Sequence, residues 1–305
     1  MSRPESDLND DLAEYHARLR ALFIPYPPHI KLHAEFDLLC KLSRKLRGSA
    51  QFGVRVLAPS GSGKTKAARA YRDLANSNTS STDHKPVIII GLEASTTTKK
   101  LMIQILDQFG DPHSNLGNEL ILKKRVLACF YRFKTDLLIV DEVQHLNYRN
   151  GPKNDVTDTL KSFLDSGAVS IAFLGTLEAL RMFERNIQLN GRLRPPRDLK
   201  PLSAQNTSDQ SLFYGFVSRL DQSLVDIGIF NRLSGLNAPD NLSKLFEVSN
   251  GVIGRVTQIV AFAMEAALRR RGDVIVSCDL SDAVEAWALE QKISAYNPFR
   301  EERIG

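Results

Sequence analysis

The sequence has little cysteine and no long apolar run, and both features narrow the class of protein. Its three cysteines, Cys40, Cys129 and Cys278, lie far apart and form no Cys-x-x-Cys pair, which argues against a zinc-binding spacing and a disulfide framework. No apolar run approaches the length of a membrane span, and the polar, acidic N-terminus is unlike a signal peptide. We therefore expect a soluble, cytoplasmic protein with no membrane partner.

A large excess of charge of one sign is also missing. The chain has 40 Lys and Arg against 35 Asp and Glu, a net charge of +5. This small surplus permits an acidic partner such as nucleic acid without requiring one. The length of 305 residues exceeds that of a typical compact domain, so we expect one large and one smaller domain.

Short apolar runs alternate with helical patterns in the first two thirds of the chain. The runs are Val54–Leu57, Val87–Ile90, Leu137–Val140 and Val169–Leu174. The helical patterns lie near residues 64–75, 98–109, 119–133 and 155–165. Continuously apolar strands favour a parallel sheet that is covered on both faces, so the pattern predicts a three-layer α/β domain. A fifth, weaker strand is predicted at Asp198–Leu202.

The flanking segments have helical rather than strand character. Residues 1–48 form a predicted N-terminal helical extension, which is broken near Ile24–Pro28. The α/β core is predicted for residues 49–204. Apolar stripes at helical spacing then predict a small helical domain over residues 205–296, followed by a short charged tail at 297–305.

The strongest motif is the segment Ala58–Thr65, Ala-Pro-Ser-Gly-Ser-Gly-Lys-Thr, between a predicted strand and a predicted helix. In this context a P-loop wraps successive backbone N–H groups around phosphate, Lys64 reaches the β- and γ-phosphates, and Thr65 ligates Mg²⁺. Ala58 replaces the first glycine of the usual pattern, and the alternative is a plain Gly/Ser turn. The predicted cofactors are ATP and Mg²⁺. The predicted loop contacts are Pro59, Ser60, Gly61, Ser62, Gly63, Lys64, Thr65 and Lys66.

A second motif, Leu137–Glu142, ends an apolar run with two carboxylates, as a Walker B motif does. Asp141 is placed to hold the Mg²⁺ through water, and Glu142 is placed to act as general base on the attacking water. Thr176 follows the next strand and is the candidate sensor-1 residue. The alternative for Thr176 is a helix N-cap, and both roles are compatible.

Arginines near the end of the core and in the helical region are candidates for contacts with phosphate. Arg192 is the first choice for a residue that reaches the γ-phosphate of a neighbouring subunit, with Arg194 and Arg185 behind it. Arg255, in Gly251–Arg255, is the candidate sensor-2 residue. For each of these, the alternative is an ordinary solvated arginine.

Several segments, in this order, resemble the AAA+ transposition regulators called TniB and TnsC over roughly residues 20–299. The segments are Ile24–Ile30, Ser60–Thr65, Ala94–Lys99, Val140–Leu146, Gly175–Thr176, Asn190–Leu193, Gly251–Arg255 and Asn297–Phe299. The resemblance implies a P-loop AAA+ core with a small C-terminal helical lid. It is strongest at Val140–Leu146.

The resemblance also implies partners. Such proteins bind ATP, assemble as rings or helical filaments on double-stranded DNA, and link a TniQ-like target-selection protein to the transposase, while ATP hydrolysis resets the assembly. Matched to this sequence, Thr98, Lys99 and Lys100 become the DNA-binding candidates, with Lys123–Arg125 as a second cluster. Cations near phosphate bind DNA without regard to base sequence. The alternative for both clusters is a solvated helix face.

Three other functions stay open at this point. A P-loop ATPase of another pathway, such as a secretion-associated AAA+ ATPase, would use the same ATP site without DNA. A scaffold that binds nucleotide without hydrolysing it is disfavoured by Glu142. A small-molecule kinase is least favoured, because the helical lid and the Arg192 segment fit better between subunits.

Overall fold

The computed structural model describes residues 5–79, 83–94, 96–148 and 155–300. The chain divides into two compact units. The sheet unit comprises Pro28–Lys200, and the helical unit combines Met1–Pro27 with Pro201–Gly305.

The helices follow one another along the chain with few interruptions. In chain order they are α1 (Glu5–Ala21), α2 (Pro27–Lys45), α3 (Lys64–Ser77), α4 (Thr98–Phe109), α5 (Glu119–Arg132), α6 (Asp155–Asp165), α7 (Leu180–Arg185), α8 (Ile187–Asn190), α9 (Thr207–Asp226), α10 (Pro239–Ser249), α11 (Ile253–Arg269) and α12 (Ser277–Ala283). Short 3₁₀ segments occur at Val143–Tyr148 and Leu177–Ala179, and a π-helix at Val284–Leu289. Helices α3 to α6 confirm the four predicted helices of the core, with ends that differ by at most two residues.

Over the residues that the structure describes, the sheet has four parallel strands in the order β1-β4-β3-β2. The strands are β1 (Gly53–Leu57), β2 (Val87–Gly91), β3 (Leu137–Asp141) and β4 (Ser170–Gly175). Every residue of β3 and β4 is buried. Helices therefore cover both faces, which explains why these strands read as continuous apolar runs rather than as alternating ones. The predicted three-layer α/β architecture is confirmed.

The predicted fifth strand at residues 198–202 is wrong. The chain lies beside the free edge of β1 over residues 192–199 instead, about six residues earlier. Backbone hydrogen bonds join Gly53 N to Arg192 O (3.0 Å), Arg194 N to Gly53 O (2.8 Å), Arg197 N to Arg55 O (2.9 Å) and Leu199 N to Leu57 O (2.9 Å). Pro195 and Pro196 have no N–H to donate, so no regular strand forms there.

In the helical unit, α1 packs with the helices that follow residue 201, although the two are far apart in sequence. Leu19 and Tyr26 belong to the same apolar core as Phe213, Val256 and Met264. The first residues of the predicted tail also pack in this unit. The side chain of Asn297 donates to Ser281 O at 3.1 Å, and Phe299 is buried.

Within the described ranges, no single helix is long and apolar enough to cross a membrane. The pair α10 and α11 meets the criterion on length and composition only when the two are taken together, and they are bent by 116° at their break.

Candidate functional site

The predicted catalytic segments meet at one edge of the sheet. In a parallel sheet the carboxyl ends of the strands lie on the same side, so the segments that follow β1, β4 and β3 are neighbours. Strand β4 lies between β1 and β3. Thr176 therefore follows the strand between the P-loop and the two carboxylates, and Ala58 N donates to Gly175 O at 3.0 Å.

The P-loop has the backbone that its glycines predict. Gly61 and Gly63 adopt left-handed φ angles of 81° and 82°. Helix α3 begins directly after Gly63, which offers no side-chain cap, so the first N–H groups of the helix stay available to an anion. Ala58 is fully buried at the end of β1. Its methyl group is therefore accommodated in the core, and the replacement of the usual glycine leaves the loop intact.

The two candidate Mg²⁺ ligands are in direct contact. Thr65 Oγ1 donates to Asp141 Oδ2 at 2.6 Å, and Asp141 is buried. The other carboxylate oxygen, Oδ1, accepts from Glu142 N at 2.9 Å. Lys64 is 6% exposed. A hydroxyl and a carboxylate are the oxygen ligands that Mg²⁺ prefers beside a bound phosphate, so the residues fit this ion.

Glu142, the candidate base, is held by a residue that the sequence analysis missed. The backbone of Glu142 has a φ angle of 60°, which is uncommon for a residue with a side chain. Gln144 Nε2 donates a hydrogen bond to Glu142 Oε2. The same amide group accepts from Thr176 N through Oε1 at 3.1 Å. Gln144 is 7% exposed, so it is a buried bridge between the base and the end of β4.

The Thr176 hydroxyl is not used as a helix cap. Thr176 precedes the 3₁₀ turn at Leu177–Ala179, but its side chain makes no capping hydrogen bond. Its Oγ1 atom is shielded from solvent and has no hydrogen-bond partner within the described residues, and the same is true of Ser62 Oγ in the P-loop. Buried hydroxyls are normally satisfied, so these two atoms fit a site that receives a polar ligand.

The structure separates the three arginine candidates. Arg194 Nε donates to Glu35 Oε1 at 2.6 Å, and Arg197 Nε donates to Oε2 at 2.8 Å. Burial acts to raise the pKa of Glu35, but the two arginines outweigh it and hold that pKa below its usual value. Arg192 pairs with Asp165 at 2.9 Å near the surface. Arg185 is exposed and makes no ion pair within the described part of the chain.

Arg255 lies in the helical unit, in the first turn of α11. Its guanidinium donates to Ser249 O at 3.3 Å, and the side chain is half-buried. Its predicted contact with nucleotide stays a prediction.

The predicted DNA-binding residues differ in their exposure to solvent. Thr98 is 7% exposed, so its side chain does not face a partner at the surface. Lys99 is exposed, and Lys100 Nζ pairs with Glu93 at 2.5 Å. In the second cluster, Arg125 is bound to Asp111 and to two loop carbonyl oxygens, which gives it a structural role.

A second residue that the sequence analysis left without a role touches the P-loop. His29, at the start of α2, is buried, and its Nε2 atom lies 3.0 Å from Ser62 O. It belongs to the segment Ile24–Ile30, which carried the family resemblance without any assigned chemistry. This resemblance was the only indication in the sequence that His29 has a role, because neither the P-loop motif nor the Walker B motif includes His29.

Comparison with known proteins is consistent with this geometry. The family model described as "Bacterial TniB protein" matches residues 17–201. No curated protein sequence matches this chain. Among solved structures, the ORC2 protein of Aeropyrum pernix, solved as ADPNP and ADP complexes, has a TM-score of 0.60 at 15% identity; the match covers 83% of this chain and 67% of that one.

Two further structures give similar values. The ORC1 protein of Aeropyrum pernix, solved in complex with DNA, has a TM-score of 0.59 at 17% identity, covering 83% of this chain and 64% of that one. Cdc6p of Pyrobaculum aerophilum has a TM-score of 0.59 at 12% identity, covering 88% and 70%. The present chain thus spans about two thirds of the length of these proteins, and at such identities the likeness concerns the fold alone.

The family model covers more than half of the chain, including the P-loop and the Walker B segment. The chain therefore belongs to the bacterial TniB family, and it has the AAA+ P-loop fold.

Proposed function

We propose that this chain is an ATP-dependent, DNA-binding AAA+ regulator of DNA transposition. It oligomerises on double-stranded target DNA and links a TniQ-like target selector to the transposase, and ATP hydrolysis controls disassembly. The observation that carries the proposal is the convergence of the P-loop, the Thr65–Asp141 pair and Glu142 in a chain of the TniB family.

The P-loop and the N-terminus of helix α3 provide the groups that bind the triphosphate. Backbone N–H groups of residues 60–65 and the N-terminus of α3 favour phosphate oxygens, and Lys64 adds a full positive charge. When bound, Mg²⁺ neutralises charge on the β- and γ-phosphates. Thr65 and Asp141 would hold it, because their oxygens already lie 2.6 Å apart.

Glu142 is the group that takes the proton from the attacking water. In the structure, one carboxylate oxygen of Glu142 already accepts a hydrogen bond from the neutral amide of Gln144. This contact restrains the Glu142 side chain before it accepts a proton from water. Thr176 contributes a hydroxyl, and its backbone N–H is bound to the same glutamine. A shift of Gln144 would therefore change the base and the sensor together.

Assembly follows from a site that is shared between copies. Arg192 lies near the surface with its exposed partner Asp165, so it can exchange that partner for the phosphate of a neighbouring subunit. ATP would then stabilise the oligomer, because one copy contributes Lys64 and Asp141 and the next contributes Arg192. Hydrolysis would remove the γ-phosphate, which is the group that joins the two copies.

Contact with DNA is assigned to exposed cations rather than to base-reading groups. Lys99 presents its charge to solvent, and Lys100 is held beside it by Glu93. Such charges bind phosphate without regard to sequence and are weakened by salt. The ORC1 protein of Aeropyrum pernix, which has a similar fold, was solved in complex with DNA, and this supports the proposal.

Electron microscopy with plasmid DNA and a slowly hydrolysed ATP analogue tests the proposal. Wild-type protein should form regular oligomers on DNA only with nucleotide. Lys64→Ala should not form them, because it loses phosphate binding. Glu142→Gln is the matched control, since it keeps the binding groups and should form oligomers that persist with ATP itself. If Lys64→Ala assembles as the wild type does, the switch mechanism is wrong.

The same preparation distinguishes the alternatives. An AAA+ ATPase of another pathway should bind ATP but not retain duplex DNA at moderate salt. A nucleotide-binding scaffold should show the same residual ATP turnover in wild-type protein and in Glu142→Gln. The match to the TniB family favours the transposition regulator over both.

A further inference from the structure

His29 lies directly against the P-loop although it is more than thirty residues away in sequence. The ring is 3% exposed, and Nε2 lies 3.0 Å from Ser62 O. A Cβ atom added at Gly63 would come within 2.7 Å of Cε1 of the ring. The imidazole therefore touches the backbone of the loop, and glycine at position 63 is what allows this approach.

The direction of the hydrogen bond follows from the partner. A carbonyl oxygen can only accept, so Nε2 carries the hydrogen and donates it to Ser62 O. Burial lowers the pKa of His29 to about 4, so the ring is neutral at neutral pH and keeps this N–H. The contact is thus a neutral hydrogen bond in a buried place.

This bond determines how one peptide group of the loop is oriented. The peptide between Ser62 and Gly63 is planar and trans, so its N–H points away from its carbonyl oxygen. With the carbonyl turned toward His29, the Gly63 N–H points to the opposite side of the loop. That N–H makes no hydrogen bond within the described residues.

We propose that His29 is a positioning residue of the nucleotide site, which holds the Ser62 carbonyl so that the Gly63 amide is preorganised to bind phosphate. The inference rests on the proposed ATP binding. It gives a physical role to the start of α2, which the P-loop and Walker B motifs do not include. Preorganised donors cost no reorganisation when the anion arrives, so the effect is on nucleotide affinity.

A second histidine offers a matched control. His33 lies one turn later on α2, and its Nε2 atom is 2.7 Å from Ala67 O in α3. Ala67 is beyond the loop, and its own N–H is already bound to Gly63 O at 2.9 Å. Loss of the His33 contact should loosen the packing of α2 on α3 without reorienting a peptide of the loop.

The experiment compares His29→Gln, His29→Leu and His33→Leu in the full-length chain. The readouts are the dissociation constant for a fluorescent ATP analogue with Mg²⁺ and the melting temperature without nucleotide. His29→Leu should weaken binding about tenfold, the value of one hydrogen bond, and His29→Gln, which keeps an amide donor, should restore most of the affinity. His33→Leu should lower the melting temperature and leave the affinity unchanged.

Each other outcome is decisive. Equal loss of affinity in His29→Leu and His33→Leu, or unchanged affinity in His29→Leu, would show that His29 only packs. If His29→Leu does not fold, His29→Met takes its place as the variant without a donor, and equal affinity in His29→Met and His29→Gln would overturn the proposal. Wild-type protein that does not bind the analogue would refute the proposed function itself, and the role of His29 with it.

Discussion

Arg192 and Arg194 are two residues apart, yet Arg194→Ala should act mainly on stability and Arg192→Ala mainly on ATP hydrolysis. Arg194 donates to Glu35, whose side chain is 3% exposed. Arg192 pairs with Asp165, and these side chains are 43% and 35% exposed. Burial decides the energetic value of an ion pair, because water and salt screen the exposed pair.

The magnitudes follow from this difference. A buried charge that loses its only partner costs about 3–5 kcal/mol, but Arg197 still holds Oε2 of Glu35. Arg194→Ala should therefore lower the free energy of unfolding of the sheet unit by about 2–3 kcal/mol. Arg192→Ala should lower it by less than about 1 kcal/mol. In contrast, ATP hydrolysis by the assembled protein should fall sharply in Arg192→Ala.

The assay is urea unfolding followed by far-ultraviolet circular dichroism, with ATP hydrolysis measured on DNA in parallel. Far-ultraviolet circular dichroism reports on the helices of both units, whereas the single tryptophan, Trp287, belongs to the helical unit. Arg197→Ala is the control, since it removes the other arginine from the same carboxylate. The reasoning is refuted if Arg192→Ala destabilises the sheet unit as much as Arg194→Ala, or if Arg194→Ala has no effect on stability.

Three further predictions concern pH, hydrolysis and DNA. Because burial lowers the pKa of His29 from 6.5 to about 4, the unfolded chain binds more protons than the folded one between these values, and stability should fall as the pH is lowered through this window. Wild-type protein should lose about 2 kcal/mol more than His29→Gln between pH 7.5 and 5.0 in urea unfolding, and equal losses would contradict this. Gln144→Glu places a second carboxylate against Glu142, so kcat for ATP should fall at least about tenfold while nucleotide binding persists; weaker binding at unchanged kcat would count against the bridge. Lys99→Ala should reduce the slope of log affinity for duplex DNA against log salt by about 1, because one phosphate contact is lost. Lys45→Ala, an exposed lysine at the end of α2 that belongs to neither candidate cluster, should leave the slope unchanged, and equal changes would remove Lys99 as a specific contact.

The sequence by itself determined the features that depend on neighbours along the chain. Strands β1 to β4 and helices α3 to α6 could be predicted because apolar periodicity is a local signal. The P-loop and Walker B segments could be predicted for the same reason, and the parallel sheet then brings their strand ends to one edge. The fifth strand was predicted in the wrong place because local propensity does not show which residues pair with β1, or that Pro195 and Pro196 interrupt this pairing.

Only the tertiary structure decided which partner each polar side chain has. Glu35 and Arg194 are 159 residues apart, and Gln144 reaches Thr176 across 32 residues, so no local pattern records either contact. The same is true of the burial of Thr98 and of the contact between His29 and the P-loop. The motifs placed the chemistry at the sheet edge, but packing of distant segments decided which side chains are free to act and which are held in place.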